Sequence, residues 1–236
     1  MLDGFLERLR QGHRTIPYPD GPVALPDRFR GMPQADALKC PDGCRACADA
    51  CPTKAILVEG ASVKFDLGRC LFCTDCVEAC PEGAMGYSND YRLSTRTREA
   101  LVTDGRTLER AQALDAKARK LFGRSLKLRQ VSAAGCNACE ADVNVLNTVV
   151  FDLGRFGIQF VASPRHADGL LITGPVSKNM ELALRKTYEA VPAPKLVIAV
   201  GACAISGGPY VDHPEALNGA RSVLPVDLFV PGCPPH

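Results

Sequence analysis

The chain has no long uninterrupted apolar run. Its longest such stretches, Leu196–Val200 and residues 169–172, are far shorter than the roughly 18 to 20 residues that cross a bilayer, so no segment is expected to span a membrane. The N-terminal residues carry Asp3 and Glu7 and lack the apolar core of roughly 7 to 15 residues that marks a secretory signal. We therefore expect a cytoplasmic protein.

The sequence also lacks a large net charge. Its 28 lysines and arginines nearly balance 26 aspartates and glutamates, which leaves a net charge of +2. With 46% hydrophobic and 23% charged residues over 236 positions, the composition excludes wholesale disorder. Residues 90–129 hold eleven basic and five acidic residues, but the basic residues are not interleaved with aromatic ones. We therefore expect no nucleic-acid partner.

Cysteine is abundant, with twelve residues in the chain. Because the cytoplasm is reducing, such a chain is expected to bind metal rather than form disulfides. One run has the spacing C-x3-C-x2-C-x3-C-P, and the next has C-x2-C-x2-C-x3-C-P. A later C-x2-C pair and two single cysteines complete three groups of four: Cys40, Cys44, Cys47 and Cys51; Cys70, Cys73, Cys76 and Cys80; Cys136, Cys139, Cys203 and Cys233.

The first two groups form an internal repeat with an offset of 29 residues. The spacing of the second run is that of two-cluster ferredoxins, in which the fourth cysteine of each run binds the other cluster. The first run has one extra residue before Cys44, which Gly43 can absorb in a looped turn. Zinc also binds C-x2-C pairs, but the longer pattern disfavours it. The prediction is one 4Fe-4S cluster on Cys40, Cys44, Cys47 and Cys80, and another on Cys51, Cys70, Cys73 and Cys76.

The chain is expected to contain four segments. Residues 1–38 are rich in proline and predict an extended arm. Residues 39–90 predict a two-cluster ferredoxin domain with a small hairpin over residues 55–58 and 62–65. Residues 91–124 predict a basic helical connector, because residues 107–122 place apolar side chains at helical spacing. Residues 125–236 form the fourth segment.

The fourth segment alternates strand and helix patterns. Strands are expected at residues 126–131, 158–162, 169–173, 196–200 and 226–230, and helices at residues 142–153 and 180–190. Continuous apolar strands that alternate with helices predict a parallel sheet covered on both faces. The fold class is therefore an α+β ferredoxin domain followed by a flavodoxin-like α/β domain.

The last four cysteines all follow strands of this sheet. Ligands of open parallel sheets bind at the carboxyl ends of the strands, so these thiols are expected to converge on a third 4Fe-4S cluster. Glycines close to them allow the tight turns that a cluster needs. The cysteines are Cys136, Cys139, Cys203 and Cys233, and the glycines are Gly135, Gly201 and Gly232.

Both halves resemble known families. The first half resembles the two-cluster polyferredoxin subunit of energy-converting hydrogenases and respiratory complex I. The second half resembles the small subunit of formate-hydrogenlyase-type (group 4) nickel-iron hydrogenases, which is homologous to the complex I subunit that holds the terminal cluster. The motifs that carry the second resemblance are LFGRSL at 121–126, GCNACE at 135–140, SPRHAD at 163–168, LITGPV at 171–176, GACA at 201–204 and PGCPP at 231–235. The chain reads as a fusion of two neighbouring subunits.

The resemblance implies an electron-transfer subunit without a catalytic centre of its own. Three 4Fe-4S clusters would relay electrons to or from a nickel-iron site on a separate large subunit. The implied partners are that large subunit, membrane proton- or ion-translocating subunits, and an electron donor or acceptor such as a formate dehydrogenase or a ferredoxin. The implied location is the inner face of the cytoplasmic membrane, reached through partner subunits.

Two other functions stay open. A subunit of a complex I-like, quinone-reducing dehydrogenase is the first; in that family the motif has two adjacent cysteines, whereas Asn137 and Ala138 separate Cys136 from Cys139 here, as in hydrogenases. A free soluble electron carrier is the second, and it leaves the α/β half without a role. Glu140 follows the predicted ligand Cys139 and has two interpretations. It could tune the cluster or transfer protons, or it could be a carboxylate that the helix dipole favours at a helix N-terminus.

The family usually has a helix after the PGCPP motif, and only three residues follow Cys233 here. An uncovered face of a parallel sheet exposes apolar surface. We therefore expect a partner, or further chain, to cover the face around residues 226–230 and Leu196–Val200.

Overall fold

The computed structural model describes residues 2–12, 14–60, 62–110 and 125–235. Most of the helix expected over residues 107–122 lies outside these ranges. Within them, no helix is both long and apolar enough to span a membrane. The helices are α1 (Leu2–Gln11), α2 (Ala46–Asp49), α3 (Asp75–Glu78), α4 (Ala138–Val145), α5 (Lys178–Ala190) and α6 (Ala202–Ser206). The strands are β1 (Pro33–Ala35), β2 (Ile56–Glu59), β3 (Ser62–Asp66), β4 (Met85–Tyr87), β5 (Val102–Thr103), β6 (Leu126–Ser132), β7 (Ile158–Phe160), β8 (Gly169–Thr173), β9 (Leu196–Val200) and β10 (Leu228–Val230).

The ferredoxin domain consists of two similar halves. Strands β2 and β3 form the expected antiparallel hairpin, to which β5 adds, while β1 pairs with β4. The four-residue helices α2 and α3 lie at matching positions of the repeat. Lys54 and Gly83, which are 29 residues apart, both have a left-handed backbone, with φ of 52° and 57°. The sequence repeat is therefore also a repeat of backbone conformation.

The second domain is built on a five-stranded parallel sheet in the order β10-β9-β8-β6-β7. Counted from β6, this order is 2-1-3-4-5, the flavodoxin-like arrangement. Strand β8 is buried throughout, as the unbroken apolar run predicts. The strand order reverses between β6 and β8, so the crevice for a ligand lies at the carboxyl end of β6, where the C-x2-C pair begins.

The two faces of the sheet are buried unequally. One face belongs to a core that also includes Phe65 and Leu101 of the ferredoxin domain and Leu184 of α5. The other face forms a smaller cluster with Val143 of α4, and its outer members are only partly buried: Leu126, Ile158, Phe160, Leu196, Leu228 and Val230. Among the residues of β9 and β10 that were expected to need a cover, residues 197–200 and Phe229 are buried, and Leu196, Leu228 and Val230 are partly buried.

The two domains pack directly on each other. Thr95 and Phe229 exchange two backbone hydrogen bonds, of 3.0 and 2.9 Å, so the segment after the ferredoxin domain pairs with the edge strand β10. The hydroxyl of Ser206 donates to the carbonyl oxygen of Gly68 at 2.8 Å. Arg221 pairs with Glu99 at 2.6 Å. Together with the shared core, these contacts join the two halves.

Two expectations about local structure are corrected, and a third lies mostly outside the described residues. Residues 2–11 form α1 rather than part of an extended arm, because the prolines begin only at residue 17. In the connector, residues 91–110 contain a 3-10 turn and the short strand β5, which pairs with β3; of the helix expected over residues 107–122, only residues 107–110 are described, and they are not helical. The helix expected at residues 142–153 lies at α4 instead, because it begins directly at the C-x2-C loop and a 3-10 turn follows at Leu153–Phe156.

Candidate iron-sulfur centres

The first centre comprises Cys40, Cys44, Cys47 and Cys80. Burial, and then the neighbouring thiols of Cys44 and Cys80, raise the pKa of Cys40, so these three side chains lie within electrostatic range of one another. Burial and the nearby Cys40 also raise the pKa of Cys47. Gly43 has a φ of 77°, and the N–H of Cys44 donates to the carbonyl of Pro41 at 3.2 Å. A looped turn therefore absorbs the extra residue of the first run.

The second centre comprises Cys51, Cys70, Cys73 and Cys76, which line one small apolar cavity. Burial raises the pKa of Cys70 to about 12, and Cys51, Cys76 and Cys73 add to the shift. Cys51 also raises the pKa of Cys73 and Cys76, after burial. Cys51 belongs to the first run in sequence but lies with the second run in space.

Backbone N–H groups donate to the sulfurs at matching positions of the repeat. The N–H of Ala55 donates to the Sγ of Cys51, and the N–H of Ala84 donates to the Sγ of Cys80, both at 3.2 Å. A further N–H, that of Phe72, donates to the Sγ of Cys70 at 3.3 Å. Donors of this kind stabilise the negative charge of a cluster and its thiolates. The cysteine loops are therefore suited to hold an iron-sulfur cluster.

The third centre comprises Cys136, Cys139, Cys203 and Cys233 at one edge of the sheet. Burial raises the pKa of Cys139 to about 12, with Cys203, Glu140, Cys233 and Cys136 adding to the shift. Burial, then Cys233 and Cys136, raise the pKa of Cys203 to about 11. Cys136 and Cys233 are exposed. The four thiols converge as the strand ends predict, and two of them face outward.

Two glycines line the third centre where a larger residue would collide with sulfur. At Gly201, with a φ of 89°, a Cβ would lie 2.5 Å from the Sγ of Cys139. At Gly208, with a φ of 54°, a Cβ would lie 2.8 Å from the Sγ of Cys203. The backbone thus follows the sulfurs closely, and the donor set fits an iron-sulfur cluster. Gly232 has a φ of 146°, which agrees with the expected tight turn.

Glu140 is a buried carboxylate behind the third centre. Its side chain is only 6% exposed and accepts hydrogen bonds from Ser132 at 2.7 Å and from Thr173 at 2.5 Å. Burial opposes its charge, but these two hydrogen bonds outweigh burial, and the pKa of Glu140 is lowered. Glu140 therefore connects the first turn of α4 to β6 and β8.

The second and third centres approach each other across the domain boundary. Burial, then Cys136, then Cys73 raise the pKa of Cys233. Cys73 belongs to the second centre and Cys233 to the third, so their sulfurs are within electrostatic range. Within the first domain, Cys76 likewise raises the pKa of Cys47 after burial. The second group of cysteines is therefore within electrostatic range of both the first and the third.

The described residues contain no group of three or more His, Cys, Asp or Glu side chains arranged to hold a single metal ion.

Sequence reasoning missed two residues that touch this machinery. The hydroxyl of Tyr87 donates to the carbonyl oxygen of Cys73 and lies 3.8 Å from the Sγ of Cys76. Burial, and then the nearby thiols, raise the pKa of Tyr87. Ser206 links α6, which contains Cys203, to the turn before Cys70. Neither residue belongs to a cysteine motif. Tyr87 does lie within the 29-residue repeat, but the matching residue is Val58.

Comparison with known proteins agrees with the two-part design. Residues 39–84 match the family model of the 4Fe-4S dicluster domain, and residues 136–236 match that of the NADH ubiquinone oxidoreductase 20 kDa subunit. The two matches and the cysteine groups define an iron-sulfur protein with a ferredoxin domain.

Curated relatives include subunits of a membrane-bound hydrogenase, of formate hydrogenlyase and of NADH-quinone oxidoreductases. A probable membrane-bound hydrogenase subunit of Pyrococcus furiosus is 39% identical over 57% of this chain and 81% of its own length. Formate hydrogenlyase subunit 7 of Escherichia coli is 39% identical over 54% of this chain and 50% of its own length. An NADH-quinone oxidoreductase subunit of Bacteroides thetaiotaomicron is 40% identical over 49% of this chain and 58% of its own length. The chain belongs to the NADH ubiquinone oxidoreductase 20 kDa subunit family.

Among solved structures, a chain of the membrane-bound sulfane sulfur reductase, an archaeal respiratory membrane complex, is similar with a TM-score of 0.43. The two chains are 39% identical, and the matched region covers 51% of this chain and 64% of the other.

Proposed function

We propose that this chain is the electron-transfer subunit of a membrane-associated nickel-iron hydrogenase complex. It carries three 4Fe-4S clusters, which supply single-electron transfer between a donor and the nickel-iron site on a separate large subunit. The observation that carries the proposal is the set of three cysteine groups, with Cys73 and Cys233 within electrostatic range of each other across the domain boundary. The relatives from Pyrococcus furiosus and Escherichia coli support hydrogenase chemistry.

The proposed ligands are the three groups of four cysteines described above. The first centre lies at the far end of the proposed series, so we assign it to the electron donor or acceptor, such as a formate dehydrogenase or a ferredoxin. The third centre has two exposed cysteines, Cys136 and Cys233, so we assign that edge to the large subunit. The proposed domain limits are residues 39–90 for the ferredoxin domain and 125–236 for the α/β domain.

The chain's own residues hold these centres in place. Backbone N–H groups and glycine turns shape the cysteine loops, and the Ser132–Glu140–Thr173 contacts hold the first turn of α4 against the sheet. Membrane proton- or ion-translocating subunits complete the proposed complex, which would lie on the inner face of the cytoplasmic membrane.

The test compares the unaltered complex with Cys233→Ser and with Cys44→Ser, purified anaerobically with the large subunit. Under hydrogen, electrons enter at the large subunit, and the visible absorption of the clusters in the unaltered complex should bleach. Cys233→Ser should block bleaching of the first two centres, while a chemical reductant still reduces them. Cys44→Ser should leave the second and third centres reducible by hydrogen. Unchanged bleaching in Cys233→Ser would contradict the proposed path.

A second candidate is a subunit of a complex I-like dehydrogenase that reduces quinone. The 40% identity to the NADH-quinone oxidoreductase subunit of Bacteroides thetaiotaomicron favours it. Against it, Asn137 and Ala138 separate Cys136 from Cys139. Reduction of the chain's centres by quinol, and not by hydrogen, in the purified complex would favour this candidate.

A further inference from the structure

Tyr87 lies at the wall of the second centre. It is the last residue of β4, which pairs with β1, and it lines the same cavity as the four cysteines of that centre. Its side chain is partly buried. The ring therefore holds its hydroxyl at a defined place beside the sulfurs.

The hydroxyl has one hydrogen and two possible acceptors. The hydrogen goes to the carbonyl oxygen of Cys73, and the hydroxyl oxygen lies 3.8 Å from the Sγ of Cys76, a contact in which either atom can be the donor. A thiolate is a stronger acceptor than a thiol, and a Cys76 thiolate that binds a cluster has no hydrogen to donate. With a cluster bound, the phenol is therefore the donor of this pair, when its hydrogen turns from the Cys73 carbonyl toward the sulfur.

The first centre has no phenol at the matching position. Tyr87 corresponds to Val58 in the 29-residue repeat, whereas the backbone donors Ala55 and Ala84 are equivalent and both lie at 3.2 Å from sulfur. The repeat therefore gives the two centres one matched backbone donor each, while the second centre has in addition the N–H of Phe72 and the phenol of Tyr87.

We propose that the Tyr87 hydroxyl raises the reduction potential of the second centre by donating a hydrogen bond to the Sγ of Cys76. Reduction adds negative charge to the centre, and hydrogen bonds to the sulfurs stabilise that charge. Tyr87 acts through the cysteine ligand, so it is a positioning and tuning residue. The inference rests on the proposed function, because it requires clusters on these cysteines.

The consequence is directional. A hydrogen bond from Tyr87 would favour the electron on the second centre relative to the first, and the second centre contains Cys73, which is within electrostatic range of Cys233. Tyr87 would therefore favour the electron at the centre that faces the third one.

The test is the Tyr87→Phe variant of the full-length chain, purified anaerobically with its complex. Potentials of the first two centres are measured by a redox titration monitored by electron paramagnetic resonance, and Cys44→Ser identifies the signal of the first centre. We expect the one-electron reduction equilibrium of the second centre to become about tenfold less favourable, a fall of about 59 mV. The reduction potential of the first centre should stay unchanged. Tyr87→Leu, which also removes the hydroxyl, should give the same direction of shift.

The matched control is Tyr91→Phe, because the Tyr91 ring contacts Tyr18. This variant should leave both potentials unchanged. Iron content separates the failure of this inference from the failure of the proposed function. Unaltered protein with no iron at the second centre would overturn both. Full iron in Tyr87→Phe with an unshifted second potential would overturn the tuning role alone, and so would loss of the second cluster from both Tyr87 variants.

Discussion

Replacing Gly201 by alanine should selectively remove the third cluster. Gly201 has a φ of 89°, and an added Cβ would lie 2.5 Å from the Sγ of Cys139. With a ψ of 154°, this backbone lies in a region that is essentially limited to glycine, where another residue costs about 1 to 3 kcal/mol. The contact is about 1 Å shorter than the roughly 3.5 Å that carbon atoms keep, and such overpacking costs about 1 to 3 kcal/mol. The total cost, about 2 to 6 kcal/mol, would be relieved by displacing the thiol of Cys139, which must bind iron.

The matched control is Gly60→Ala. Gly60 also has a left-handed backbone, with a φ of 61°, but an added Cβ there meets nothing within 4 Å. This variant has the backbone cost without the contact to sulfur. The assay is iron and acid-labile sulfide per chain after anaerobic purification. Gly201→Ala should lose about four of about twelve iron atoms, and Gly60→Ala should lose none. Full iron in Gly201→Ala, or equal loss in both variants, would refute the reasoning.

Three further variants test the rest of the structure. Ser206→Ala removes the 2.8 Å hydrogen bond to Gly68 between the domains, and the free energy of unfolding should fall by about 1 kcal/mol in urea titrations; no change would mean that this contact does not join the domains. Arg98→Ala removes the ion-pair partner of Asp66, which lies at 2.7 Å in a pair whose side chains are 17% and 13% exposed. The free energy of unfolding should fall by about 3 kcal/mol in the same titration, because the charge of Asp66 stays buried without a partner. A fall of less than about 1 kcal/mol would contradict this. Burial opposes the charge of Asp90, but its hydrogen bonds with Arg92 and the charge of Arg110 lower its pKa. Its contribution is therefore present at neutral pH and lost as the pH falls from about 4 through the folded value. Asp90→Asn should lower the thermal midpoint at pH 7 and lower it by less near pH 3. An equal effect at both pH values would exclude this role.

Much of the fold could be predicted because its signals are local. The hairpin β2–β3 follows from two short apolar runs around a turn. The unbroken apolar runs of β8 and β9 begin and end as expected, because buried parallel strands need no polar alternation. The strand ends then predict where the last four cysteines meet.

The rest depended on contacts between distant residues. The pairing of Thr95 with Phe229 joins segments that no local pattern connects. The position of α4 depended on the C-x2-C loop, and apolar spacing alone placed that helix too late. From the sequence, Glu140 was equally well explained as a carboxylate that the helix dipole favours at a helix N-terminus; its burial between Ser132 and Thr173 follows only from the folded sheet.

The most direct test of the central claim is the cluster content of the intact chain. Chemical analysis of the anaerobically purified protein, together with metal analysis for zinc, should give about twelve iron and twelve sulfide per chain, because each 4Fe-4S cluster holds four of each. About eight iron with bound zinc would contradict the account, because the third centre would then be a zinc site and the series of electron carriers would end before Cys233.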